Sequence, residues 1–230
     1  NFAQTYPSGK GELHIVFTGR IEDKDTQGLF RQKEGGDWYA FTQFENISAR
    51  QAFPSFDEPG VKVPWTLSLT VPQSMTAVAN TPMVGEQIMA NGLKRVSFQT
   101  SKPMPSYLLA FGVGPFDILD GGMAGKTPVR FITPRGRAKD ATFAASVTPS
   151  ILAKLEGYFG TTYPYEKLDM LALPITLTFG AMEHPGLVTF SSLLLLSKPG
   201  EETVGFKRAF TETQAHELAH MWFGNLATMA

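Results

Sequence analysis

The chain has 230 residues, 43% of them hydrophobic and 18% charged, with 20 Lys and Arg against 21 Asp and Glu for a formal net charge of −1. This composition argues against a disordered chain, and without a basic stripe it argues against nucleic acid or acidic membranes as partners. No cysteine is present, which excludes disulfides and thiolate metal sites, and no apolar run is long enough to span a bilayer.

The first half reads as β structure. Strand-like text stands at Leu13 to Phe17, Trp38 to Phe44, Trp65 to Val71, Ala77 to Ala79, Arg95 to Thr100 and Tyr107 to Val113. Turn text such as Glu34-Gly35-Gly36-Asp37 and Ala90-Asn91-Gly92 separates these runs. Short strands at this spacing predict an antiparallel sandwich or saddle-shaped sheet. The glycine-rich stretch from Asp120 to Lys126 reads as a flexible link, so a first unit is expected over residues 1–122 and a second over residues 123–230. Val129 to Thr133 is one further strand, close enough to the link to pack on the first unit. Strand-like text begins almost at once after Asn1, so the first unit is expected to be incomplete at its start.

Beyond the link the period changes. Phe143, Val147, Ile151, Leu155, Tyr158 and Phe159 mark one helix face. Pro149 falls within it, so either the helix is kinked there or it starts with Thr148 as cap and Pro149 at its first position. Leu168 to Leu173 and Leu187 to Phe190 read as buried strands. A last helix is expected over Thr203 to Phe223, stopped by Gly224-Asn225.

That helix holds His216-Glu217-Leu218-Ala219-His220. Residues four apart share a helix face, with Cβ atoms about 6 Å apart, so the two imidazoles can grip one ion of zinc size. Glu217 stands beside the first ring, within reach of a water on that ion. The competing reading is an ordinary helix with two satisfied histidines. The apolar flanks Phe206, Phe210, Leu218, Met221 and Trp222 bury the helix and make that reading harder to sustain.

Upstream stands Gly180-Ala181-Met182-Glu183-His184. With the zinc-type segment His216 to Thr228, the proline-rich run Ala52 to Pro59 and the stretch Tyr163 to Asp169, it makes four ordered matches along the chain. Together they resemble the zinc aminopeptidases related to aminopeptidase N and leukotriene A hydrolase, a branch of the gluzincin metallopeptidases. The resemblance implies an α+β chain: an N-terminal antiparallel β saddle followed by the first half of a thermolysin-like catalytic domain. It implies Zn2+ as cofactor, with His216 and His220 as ligands and Glu217 as general base. It implies a peptide with a free N-terminus as substrate, its ammonium held by Glu183 and Glu45. Gly180, Ala181 and Met182 match the edge segment that pairs with the peptide backbone. The role of Glu45 is the weaker transfer, because it depends on counting back from the proline-rich run.

Taken alone, Glu183 reads as a surface carboxylate at a turn, and Glu45 more so. The chain departs from the family text at His184, where an Asn is usual, at Met221 for Gln and at Ala227 for Val. The family's third zinc ligand, a glutamate on the next helix, and its oxyanion-stabilising tyrosine both fall past Ala230. Two outcomes are therefore expected: a zinc aminopeptidase when the remainder of the parent polypeptide is present, or an inert or peptide-binding piece when it is not. An endopeptidase of thermolysin type is a third reading, which the paired amine-binding glutamates argue against.

Overall fold

The computed structural model describes residues 8–228; residues 1–7 and 229–230, the outer ends of the two expected units, lie outside the described residues. The elements in chain order are β1 (Gly28–Glu34), β2 (Asp37–Gln43), β3 (Ser68–Pro72), β4 (Thr76–Ala79), β5 (Met83–Ile88), β6 (Leu93–Phe98), β7 (Phe111–Gly114), β8 (Asp117–Ala124) and β9 (Thr127–Thr133). Helix α1 (Thr142–Phe159), strands β10 (Leu168–Leu173), β11 (Ala181–Met182) and β12 (Leu187–Ser191), and helices α2 (Ser192–Leu195) and α3 (Val204–Ala219) follow. The chain is α+β, with a β-rich first half and a mixed second half.

The strands form three sheets, ordered β1-β2-β7-β4, β3-β6-β5 and β11-β12-β10-β9-β8. The first two are antiparallel. The β1–β2 hairpin turns at Gly35 and Gly36, whose φ of 59° and 93° only glycine adopts cheaply. In the five-stranded sheet β10 runs parallel to β9 and β12, while β8 and β11 are antiparallel additions at the edges.

Burial along β10 explains its unbroken apolar text. Met170 and Ala172 face α1 and α3, in one layer with Phe131, Val188, Phe190 and Phe210. Leu171 and Leu173 face the other way, against Phe30, Tyr39 and Phe41 of the four-stranded sheet. The central strand is covered on both faces, as parallel strands require. The sheets approach closely where Gly112 lies: a Cβ there would stand 2.9 Å from Leu171 Cδ2.

Several sequence expectations change. Leu13 to Phe17 belongs to no strand, and Leu13, Val16 and Phe17 are exposed. Strand propensity stabilises a segment only when a neighbour supplies ladder bonds, and no described strand pairs with this one. Trp65 lies ahead of β3 because its N–H donates to Ser101 Oγ (2.9 Å) and its indole to Met104 O (3.0 Å). Ser106–Leu108 forms a 3₁₀ turn, so only the end of the Tyr107 to Val113 run is strand. Gly121 and Gly122 of the expected flexible link lie within the bulged strand β8, where a Cβ on Gly121 would meet Phe131 at 2.8 Å, and Gly125 lies in the turn after it. Strand β9 pairs with β10, while its Ile132 packs against Phe30, Tyr39 and Phe41 of the first sheet, as its place beside the link suggested. Helix α1 starts at Thr142 and runs through Pro149; the Thr148 hydroxyl donates to Ala144 O (2.8 Å) beside the missing N–H.

Candidate active site

Three chain segments meet at one end of the five-stranded sheet. Helix α3 begins at Thr203, whose side chain accepts the Phe206 N–H at 3.1 Å, an ordinary N-cap. Phe210 and Leu218 bury one face of it in the core, and Gln214 and Glu217 are buried with them. Its far end is held by Trp222, which packs on Phe159 (4.8 Å between rings) and donates its indole N–H to Thr161 Oγ1 (2.8 Å).

Helical spacing turns the two rings toward one point. His216 Nε2 and His220 Nε2 are 3.1 Å apart, with ring planes at 85°. His220 Nδ1 lies 3.1 Å from the Phe223 carbonyl, a bond that needs the proton on Nδ1. That leaves its Nε2 lone pair facing His216, the tautomer a metal ligand needs. Nitrogens bound to one tetrahedral zinc stand about 3.3 Å apart, given Zn–N of about 2.05 Å. The pair therefore fits such an ion. It offers two donors, and among the described residues no group of three or more His, Asp or Glu side chains is close enough to hold one metal ion. Gly224 follows at φ 122°, and a Cβ there would lie 2.9 Å from His220 Nδ1, so a side chain would displace the ring.

Glu217 is 5% exposed, and burial, then the charges of Glu183 and Glu45, push its carboxyl up to about 8. A carboxyl so raised holds a proton near neutral pH, the range in which a group exchanges protons with a reactant. Glu45 follows β2 and is more exposed; burial and Glu183 raise it while His220 lowers it. Glu183 is 9% exposed at the end of β11, and its carbonyl accepts from Asn225 Nδ2 (2.8 Å). The structure thus brings together all the sequence-selected side chains: His216, His220, Glu217, Glu183 and Glu45.

The remaining selected residues form an edge. Ala181 and Met182 pair antiparallel with Phe190 and Thr189, and Gly180 O accepts from Ser191 N at 2.7 Å. Among the described residues strand β11 is outermost in its sheet, the position from which a sheet edge can pair with an extended chain. His184 is fully buried, with Nδ1 3.3 Å from Thr189 Oγ1; burial pulls its pKa down to about 3. Asp57 packs within the first half, accepting from Arg50 (3.0 Å) and Ser106 Oγ (2.6 Å).

Two residues that sequence reasoning passed over lie in the same place. Tyr107 shares a cleft of about 360 Å³ with Glu45, Asn46 and Thr228, and burial, Glu183 and Glu45 raise its hydroxyl to about 12. Gln43 donates to Met182 Sδ (3.4 Å) while its Oε1 is buried without a partner. Gln43 was legible as a polar residue on an apolar strand two places before Glu45. Nothing in the text marks Tyr107, which the turn after Pro105 delivers.

The flanking sequence matches two family models: the Peptidase M1 N-terminal domain over residues 1–108 and the Peptidase family M1 domain over residues 143–230. Aminopeptidase M1-D of Oryza sativa subsp. japonica is 40% identical over 232 residues, covering 99% of this chain and 26% of its own length. Aminopeptidase M1 of Arabidopsis thaliana is 38% identical over 232 residues, with 99% and 26% covered. Aminopeptidase N of Acetobacter pasteurianus is 38% identical over 188 residues, with 82% of this chain and 53% of the relative covered. The chain spans about a quarter of the length of the plant relatives, 26% in each case. With the N-terminal domain match containing Glu45 and the peptidase domain match containing Glu183, His216, Glu217 and His220, the chain belongs to peptidase family M1.

Proposed function

We propose that this chain carries the substrate-anchoring and base-bearing part of a zinc aminopeptidase. The observation that carries the reading is the convergence of two ring nitrogens 3.1 Å apart with a cluster of three carboxyl groups. His216 and His220 hold the zinc, with a further ligand from outside the described residues. The bound ion supplies Lewis-acid polarisation of the scissile carbonyl and acidifies the attacking water. Glu217 takes the water's proton and returns it to the leaving amine, a role that its position next to His216 in α3 supports. Glu183 and Glu45 take the substrate's α-ammonium through charge-assisted bonds, which a cluster of carboxylates without a cation of its own supports. The free edge of β11 aligns the peptide backbone and sets the first peptide bond opposite the histidines. The division into a β unit and a catalytic unit, expected over 1–122 and 123–230, belongs to the same proposal with its boundary moved ahead of β8, because Asp117–Ala124 pairs with β9 in the sheet of the second half.

The test uses a polypeptide of the relatives' length containing this sequence. Glu217→Gln retains stoichiometric zinc and loses about 10²–10⁴ in turnover of aminoacyl anilides. Normal cleavage by that variant overturns the mechanism. Cleavage of N-acetylated peptides as fast as free ones would instead favour an endopeptidase.

A further inference from the structure

The loop His184-Pro185-Gly186, immediately after the anchoring glutamate, rests on the first half of the chain through a buried joint. Asn80, at the end of β4, is 6% exposed and uses its whole amide. Its Nδ2 donates to Leu108 O (2.9 Å) and to Pro185 O (3.0 Å), and its Oδ1 accepts from Ala110 N (2.7 Å). Next to it Lys167 Nζ donates to Ala79 O (2.8 Å), Gly186 O (2.6 Å) and Asp169 Oδ2 (2.8 Å). The surfaces touch so closely that a Cβ on Gly186, whose φ is 71°, would lie 2.1 Å from Asn80 O.

This joint fixes something the local strand cannot. Strand β11 is two residues long and laddered on one side only, so it restrains Glu183 weakly by itself. Glu45 enters from β2, in the first half of the chain, whereas Glu183 enters from the second. The separation of the two carboxylates therefore depends on contacts between the two halves: the one between β4 and the 184–186 loop, beside the weaker Gln43–Met182 contact. We propose that Asn80 is a positioning residue for Glu183: it fixes the loop so that both carboxylates meet one ammonium. The proposal rests on the amine-anchor reading given above.

In the full-length enzyme, Asn80→Asp keeps the size and the acceptor for Ala110 while losing the forked donor; Asn80→Ala removes both. The expected result is a KM for free-amine aminoacyl anilides raised roughly ten- to hundredfold, with kcat changed less than about threefold and zinc content unchanged. In a Glu183→Gln background the same substitutions should add almost nothing, because the group they position has lost its charge. Equal loss in kcat and KM, full additivity with Glu183→Gln, or an unchanged KM overturns the proposal. Loss of the fold in both variants also overturns it, since the joint would then serve the chain as a whole. If Glu183→Gln itself leaves KM and the free-amine preference untouched, the anchor reading fails rather than the role of Asn80 alone.

Discussion

Two groups of charged side chains in this chain are built on opposite principles. Asp169, fully buried on β10, accepts from Arg130 Nε (2.8 Å) and Nη2 (2.6 Å) and from Lys167 Nζ (2.8 Å). Burial pushes its carboxyl up, but the two cations outweigh burial and hold it below the usual carboxylate range. Glu45, Glu183 and Glu217 gather instead around a space, and among the described residues none of them pairs with a Lys or Arg. The first group holds β9, β10 and the 184–186 loop together. The second costs folding energy and leaves unneutralised charge for something that arrives later. A fold that satisfies a buried carboxylate so fully at Asp169 leaves Glu45, Glu183 and Glu217 without a Lys or Arg partner among the described residues, which supports the proposed ammonium site there.

The difference can be broken at its strong side first. Asp169→Ala strands Lys167 and the Arg130 guanidinium and should destabilise the chain by about 3–5 kcal/mol, read by urea unfolding. A loss under about 1 kcal/mol would mean that the paired group contributes little to the fold.

His184 sharpens the comparison through pH. Its pKa lies at about 3 in the folded chain, against about 6.5 when unfolded, so between those values the unfolded ring takes up the proton. Its contribution to stability is therefore complete above about pH 6.5 and falls by ~1.4 kcal/mol per pH unit below it, or about 2 kcal/mol at pH 5. Glu217 has the opposite sign: its raised pKa lets protonation favour the folded form as pH falls from about 8. The measurement is accordingly the difference between wild type and His184→Asn. Relative to that variant, wild type should lose stability from pH 6.5 to 5, and a difference that does not vary with pH would show that His184 is not held neutral.

The smallest effect tests the unpaired side. Glu217→Gln in the metal-free protein removes a carboxyl whose desolvation and neighbours oppose folding, and should raise stability at pH 7 by about 1 kcal/mol or somewhat more. Destabilisation by that substitution would mean that the glutamate is structurally satisfied after all. Stability gained where turnover is lost is the signature of a group kept for chemistry.

Legibility followed the range of the interaction. The helix bearing His216 and His220 could be read because a four-residue spacing on a capped helix determines which face both rings share. Strands β10 and β12 could be read because burial on both faces demands unbroken apolar text. Leu13 to Phe17 has equally good strand residues and forms no strand, since a ladder depends on a partner that no local pattern reports. The Asp120 to Lys126 glycines read as a link because glycine marks both a flexible joint and a bulged strand that lets Phe131 come close; only the neighbour tells them apart.

What the sequence by itself determined is the chemistry on offer: two imidazoles and a carboxyl within one helical turn, and Glu183 behind an edge segment. What only the tertiary structure decided is their meeting. Glu45 and Tyr107 reach one cleft from separate segments of the first half of the chain, and Asn80, at the end of β4, meets the loop that follows β11. Contacts across so many residues leave no periodicity in the text; they arise when apolar faces of different sheets are buried together and bring the strand ends with them.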